Sequence, residues 1–214
     1  MGTTVADVMT TRVVAVRRNA DFKQIARVLR QFRVSACPVI NDACEVIGVV
    51  SEADLLFKTA DRELPAGLIR LRWKLGEESK ITAVTAQQLM TSPAVTIEAD
   101  APVQLAARIM QDRRVKRLPV VSGDGVLIGI VTRADLLALY DRPDADILAD
   151  VTTVLISEFG FGAANFQATV SSGVVTLTGL VAQQQTALQA AARIRHIEGV
   201  VAVRDRLLAG TPAG

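Results

Sequence analysis

Two short stretches of this chain carry groups that can do chemistry. Ser51-Glu52-Ala53-Asp54 and Thr132-Arg133-Ala134-Asp135 each place a hydroxyl three residues ahead of a carboxylate. One chemistry of that spacing is structural. At the start of a helix it is close to a capping box, in which the side chains satisfy the free N–H groups of the first turn. The other chemistry uses the same helix end as an anion site, where unpaired N–H groups and the positive dipole end suit a phosphate. The hydroxyl can then donate to a phosphate oxygen, and the carboxylate can accept from both hydroxyls of a ribose. Spacing alone leaves both chemistries open.

Lys116 and Arg117 stand just before an apolar run and can meet phosphate charge, or guard a strand edge against aggregation. The corresponding positions earlier in the chain are Ser35 and Ala36. Taken in sequence order, Lys116 and Arg117 go with Thr132 and Asp135. That grouping predicts one dominant site there and a weak one at Ser51 and Asp54. Cys37 and Cys44, with a single distant His196, fall short of a zinc set and are expected as a buried small side chain and a turn residue. His196 reads as a surface or capping residue. No nucleophile–base pair, metal cluster or Gly-rich phosphate loop is present in the sequence, so neither catalysis nor a cofactor is expected.

The elements that must position these groups are written twice. GVVSEADLL at 48–56 returns as GIVTRADLL at 129–137, an offset of 81 residues. The same offset carries Met9-Thr10 onto Met90-Thr91 and Pro38-Val39 onto Pro119-Val120. A repeat of this length means two copies of one supersecondary unit. Each copy opens on a β-like run (13–16, 94–97), and Asn19 or Asp100 follows as the expected N-cap. Phe22, Ile25, Ala26, Leu29 and Phe32 then recur at helical spacing, as do Val103, Ala106, Ala107 and Met110. Two apolar strands around a polar turn and a second helix complete a β-α-β-β-α unit. Uninterrupted apolar strands imply sheets covered on both faces, and two copies can cover each other.

The VMT opening, the strand order and the G-x-V-[ST]-x-x-D-L ending make each copy resemble a CBS domain, with copies at 1–57 and 86–140 joined by a linker at 58–85. The resemblance implies a pseudo-twofold pair, a Bateman module, that binds an adenine nucleotide or related adenosyl compound between its repeats. It also implies that binding regulates an attached domain or the protein's assembly. In that family the Ser/Thr lies on the phosphate side and the Asp on the ribose side. Here those residues are Ser51 and Asp54, then Thr132 and Asp135, with Lys116 and Arg117 as the cationic candidates. The exposed helices that end each copy lead to the expectation of a homodimer.

Within the linker, Ile69 to Leu75 alternates apolar and basic residues around Trp73. It is expected to pack against the repeats. After the polar stretch DRPDAD at 141–146, the order helix, two strands around Ser172-Gly173, helix, strand is read from the periodicity. The run Gly173 to Gly179 and the Ile197-Glu198-Gly199-Val200 ending make residues 145–208 resemble a BON domain. The resemblance implies attachment to membrane lipid or a partner. The fold class expected is α+β: a Bateman module plus a small α-β-β-α-β domain. A second function, from a different class, stays open: a scaffold in which Ser/Thr-x-x-Asp only caps helices and the BON-like part makes the contacts.

Composition narrows the partners. Half of the 214 residues are hydrophobic and only 4% aromatic, so the core must be Val, Ile, Leu and Ala. A formal charge of +2 is too small to argue for nucleic acid. Residues 1–141 hold 19 basic against 16 acidic residues, and 142–214 hold 5 against 6. An anionic ligand therefore belongs to the first part, and attraction of the second part to anionic lipid is weak. No secretory signal or spanning segment is evident, and a cytoplasmic location is expected.

Overall fold

The structure, a computed structural model, describes residues 2–60, 83–162 and 166–210, with only the main chain for 57–60. The Ile69–Leu75 run of the linker lies outside the described residues. The chain forms two compact units, Thr3–Arg133 and Ala134–Gly214. This division falls ahead of the polar stretch at 141–146 that the sequence suggested as the boundary.

In the first unit, one repeat comprises β1 (Val16–Arg17), α2 (Phe22–Phe32), β2 (Ala36–Ile40), β3 (Val46–Ser51) and α3 (Glu52–Ala60), preceded by the single turn α1 (Val5–Val8). The other comprises β4 (Ile97–Glu98), α5 (Val103–Asp112), β5 (Arg117–Val121), β6 (Leu127–Thr132) and the start of α6 (Arg133–Ala138), preceded by the turn α4 (Ala86–Leu89). Each forms a three-stranded sheet in which the first strand pairs parallel to the second and the second antiparallel to the third. The duplication reaches the irregularities. Both sheets shift register at the same place, between Val39 and Ile40 and between Val120 and Val121. Arg33 and Arg114 both take a left-handed backbone just after their helices. At the hairpin turns the left-handed position falls to Cys44 in one repeat and Gly125 in the other.

The helix starts differ from the sequence expectation. Asp21, not Asn19, caps α2, accepting from the Gln24 amide while the Gln24 side chain accepts from the Asp21 amide. In the second repeat Pro102, not Asp100, occupies the cap and offers no side-chain acceptor. Asn19 and Asp100 precede these helices in the turns after the short strands.

The packing unit is not the sequence repeat. The opening turn of each copy lies against the other copy. Val5 and Ala6 donate to the carbonyls of Ala101 and Ala99, and Ala86 and Gln87 donate to those of Ala20 and Arg18. Thr10 exchanges backbone hydrogen bonds with Ile130, and Thr91 with Val49. Accordingly Ala83, Ala86 and Leu89 join Ile25, Leu29, Cys37, Val39 and Val50 in one buried core. Every such pair has a partner 81 residues on, which defines a pseudo-twofold axis through the unit.

The second unit contains α7 (Asp144–Ser157), β7 (Phe166–Ser171), β8 (Val174–Val181), α8 (Gln184–Ile194) and β9 (Ala202–Ala209). The sheet order is β7-β8-β9, antiparallel then parallel. Ile147, Val151 and Leu155 of α7 and Ala187, Ala190 and Ile194 of α8 pack on Val175, Leu177 and Leu207 of the sheet. Ser172 and Gly173 carry the left-handed backbone of the hairpin turn. Asp144 closes that turn by accepting from both of their amides at 2.7 and 2.8 Å. Part of the polar stretch is therefore integral to this unit.

Candidate functional site

A cleft of about 370 Å³ opens between the two repeats of the first unit. Repeat 1 contributes Ser51, at the end of β3, and Glu52 and Asp54, in the first turn of α3. The neighbouring strand β2 contributes Ala36, with Ser35 just ahead of it, because Ala36 pairs with Ser51 across the sheet. The far wall belongs to repeat 2: Thr91, Pro93, Ala94 and Val95 from its opening segment, and Val115, Lys116 and Arg117 at the start of β5. The wall is built this way because Thr91 is bridged to Val49, which carries the repeat 2 opening segment across the repeat 1 sheet.

Asp54 is the one charged side chain among the described residues that is buried, 7% exposed. A buried carboxylate is costly unless it accepts hydrogen bonds. Asp54 Oδ2 accepts from the Ser51 amide at 2.9 Å and from the Ser51 hydroxyl at 2.7 Å. This is the carboxylate half of the capping arrangement, so the capping role read from the spacing is present. The same contact fixes a carboxylate and a hydroxyl side by side on the cleft wall.

On the opposite wall the Arg117 guanidinium is half-buried. Its Nη1 donates to the Ala36 carbonyl at 2.8 Å, and its Nη2 to Ser35 Oγ at 2.5 Å. Burial lowers the Arg117 pKa from its ordinary value, an effect opposed by nearby Cys37 and Glu52. Burial pushes the Cys37 thiol up to about 11, and nearby Arg117 moderates the rise. Lys116 is exposed at the cleft.

Of the six residues singled out from the sequence, four line this one cleft: Ser51, Asp54, Lys116 and Arg117. Sequence order grouped Lys116 and Arg117 with Thr132 and Asp135; the structure places them on the cleft of Ser51 and Asp54. Thr132 ends β6, in register with Arg117, and Asp135 lies in the first turn of α6. Thr91 and the Pro93–Val95 segment were not anticipated, although the VMT/LMT repeat that marks them was visible. Among the described residues no group of three or more His, Cys, Asp or Glu is arranged to hold a metal ion. Cys37 lies buried in β2, Cys44 sits at the turn, and both thiols are free. His196 is exposed beyond the end of α8. No helix among the described residues is long and apolar enough to cross a membrane.

Paired β-α-β-β-α repeats about a pseudo-twofold axis, with a polar cleft between them, define a tandem-repeat module of the Bateman type. The CBS domain family matches residues 5–61 and 86–142, and the BON domain family matches residues 143–210. The chain belongs to the CBS domain family and carries a BON domain after its two repeats.

Similar proteins are spread widely. The uncharacterized protein MJ1426 of Methanocaldococcus jannaschii is 32% identical over 62% of this chain and 88% of its own length. The uncharacterized protein MK0525 of Methanopyrus kandleri is 31% identical over 53% of this chain, which spans only 50% of that protein. The solved structure of CBSX2 in complex with AMP superimposes with a TM-score of 0.56 at 30% identity, covering 64% of this chain and 95% of that one. The CBS domain pair of protein MJ0100, in complex with 5′-methylthioadenosine and S-adenosyl-L-methionine, shares the fold at a TM-score of 0.53 and 20% identity, over 66% and 98% of the two chains.

Proposed function

We propose that this protein is a regulatory sensor that binds an adenosyl compound in the cleft between its CBS repeats. The observation that carries this reading is the convergence of Ser51 and Asp54 from one repeat with Lys116 and Arg117 from the other on one cleft. A carboxylate accepts from ribose hydroxyls, a serine hydroxyl and two cations face a 5′-phosphate, and apolar Ala36, Pro93, Ala94 and Val95 offer a surface for an adenine ring. The complex of CBSX2 with AMP supports the ligand class. Asp54 is the ribose acceptor, and Ser51 turns its hydroxyl from Asp54 toward the phosphate. Thr132 and Asp135 are the weaker, second pair.

The output is a change in assembly or in the attached BON domain. Leu56 and Leu137, 61% and 66% exposed on the helices that close the repeats, support a homodimer that covers them. BON-mediated attachment to lipid or a partner belongs to the same reading. The deciding experiment is calorimetry of the full chain with AMP, ADP, ATP, NAD and S-adenosylmethionine, with light scattering before and after saturation. Binding of at least one adenosyl compound supports the sensor, and no binding at millimolar concentration refutes it.

A further inference from the structure

The sheet of the second unit is covered by helices on one face only. Val175, Leu177 and Leu207 pack under α7 and α8, so the alternate residues of β8 and β9 lie on the opposite face. Thr176 and Thr178 hold its centre, in register with Arg204 and Arg206, and Leu180 pairs with Leu208 at its end. Both arginines and both leucines are exposed. Arg142 and Arg193 are paired with Asp150 and Glu158, whereas Arg204 and Arg206 have no ion-pair partner among the described residues. Asp205, between them, alternates to the covered side. The open face is therefore cationic, with an apolar end.

Helix α7 presents the complementary surface. Its inner side buries Ile147, Val151, Val154 and Leu155, yet its outer side is a row of Ala145, Ala149, Thr153 and Ile156, all exposed. The Thr153 hydroxyl donates back to the Ala149 carbonyl, which leaves that row without a free donor. A helix apolar on both sides is ordinarily covered on both. Asp146 and Asp150 flank the row, and Asp150 also accepts from Arg142.

We propose that the outer side of α7 in one copy docks on the open sheet face of a second copy, with Asp146 and Asp150 against Arg204 and Arg206, and Ile156 against Leu180 and Leu208. The two ladders match in order and in step. Along the helix Asp146 and Asp150 are about 6 Å apart, and Ile156 stands about 9 Å further on. Along β9, Arg204, Arg206 and Leu208 follow one another at about 6.6 Å. A helix laid parallel to β9 thus sets acid on base twice and apolar on apolar once. The occupant must be another copy, because α7 already packs on the covered side of its own sheet. The contact is head to tail, so each copy keeps one helix and one sheet face free, and association runs to a ring or an open chain. Only residues of the second unit take part, so the proposal stands independently of the adenosyl reading.

The test is sedimentation velocity of the full chain over a range of concentration, on wild type and two double variants. The sheet variant is Arg204→Glu with Arg206→Glu. The helix variant is Asp146→Lys with Ala149→Lys, which leaves the Asp150–Arg142 pair intact. In about 0.1 M salt the mass of wild type should rise with concentration to about twice that of either variant or more. In about 1 M salt, where the Debye length falls from about 10 to about 3 Å, the difference should close. Mixing the two variants should restore the growth that neither shows alone, since an acidic sheet face then meets a basic helix, and that recovery also shows that both variants are folded. Wild type no larger than its variants at any concentration overturns the proposal. Growth lost in both variants without recovery on mixing overturns the pairing of α7 with the sheet. Vesicles of phosphatidylglycerol that sediment wild type but not the sheet variant, with no self-association, would assign the face to a lipid headgroup and overturn the second copy as its occupant.

Discussion

Met90, from the opening turn of repeat 2, lies directly over Gly48 in β3 of repeat 1. A Cβ added at Gly48 would collide with the Met90 sulfur and come within 2.7 Å of its Cγ and 3.0 Å of its Cβ. The symmetric contact of Met9 with Gly129 is looser, for beyond the sulfur the nearest Met9 atom is Cγ at 3.2 Å. These glycines are required by close approach.

The two sites therefore give an unequal prediction. Gly48→Ala must move the Met90 backbone end as well as its tip and should cost about 1–3 kcal/mol, as overpacking does. Gly129→Ala asks only a flexible thioether to turn aside and should cost less. Chemical denaturation of the two variants checks the order; equal costs, or a larger one at Gly129, would show that the packing reading is wrong.

The same contact shows how far the sequence was legible. The 81-residue repeat and the periodicity of Phe22–Phe32 located the helices, the hairpin strands and their turns, since local pattern determines them, whereas the opening strands, expected at 13–16 and 94–97, are two-residue strands at Val16–Arg17 and Ile97–Glu98. The exchange of opening turns was not legible. Nothing in VMT or LMT says which sheet it will cover, because that depends on the pseudo-twofold packing of two whole repeats. Grouping the cations by sequence neighbourhood left out the cleft of Ser51 and Asp54 for the same reason. Lys116 and Arg117 precede Thr132 and Asp135 in the chain, yet the axis turns them toward Ser51 and Asp54. The caps expected at Asn19 and Asp100 were missed because Asp21, two residues past Asn19, is an equally good acceptor, and because Pro102 caps its helix with no side-chain acceptor to signal it.

Cysteine reactivity should divide sharply. Cys37 is fully buried and its thiol is raised to about 11, whereas Cys44 is half-buried at a turn. Alkylation at neutral pH, followed by mass spectrometry, should label Cys44 alone in the native protein. The pH dependence follows with its sign. An unfolded Cys37 ionises near 9.0 and the folded one only near 11, so the folded state holds the proton in that interval. Stability should fall as pH rises from 9 toward 11, by on the order of 2 kcal/mol. A Cys37→Ala variant should lack that component of the pH slope, and an unchanged slope would exclude Cys37 as its source.

In the BON domain the turn between β7 and β8 depends on a carboxylate from outside the hairpin. Asp144 accepts from Ser172 and Gly173, and hydrogen bonds to a charged partner contribute about 1.5–3 kcal/mol. Asp144→Ala should destabilise this unit by about that amount and expose both amides to hydrogen exchange. Asp144→Asn, with one acceptor in place of two, should fall between. Protection of both amides in Asp144→Ala would mean that the hairpin holds its own turn.

The two Ser/Thr-x-x-Asp stretches can be separated by one pair of substitutions. Both aspartates open a helix, so Asp54→Ala and Asp135→Ala should each destabilise by about 1 kcal/mol, the usual cost of a lost cap. Their effects on ligand should differ. Asp54 lines the cleft that Lys116 and Arg117 also line, so if the proposed function holds, its loss removes the ribose acceptor from the site with cationic help. Each ribose hydroxyl lost to a carboxylate corresponds to about one to two decades of affinity, an upper bound where water replaces the contact. AMP binding measured by calorimetry should therefore drop at least tenfold in Asp54→Ala and stay within about threefold in Asp135→Ala. The melting temperatures, recorded on the same samples, separate lost caps from lost contacts. If Asp135→Ala abolishes binding while Asp54→Ala retains it, the phosphate site lies on the other aspartate and the cations serve it from their own repeat. If both variants bind as wild type does, the carboxylates cap helices and nothing more.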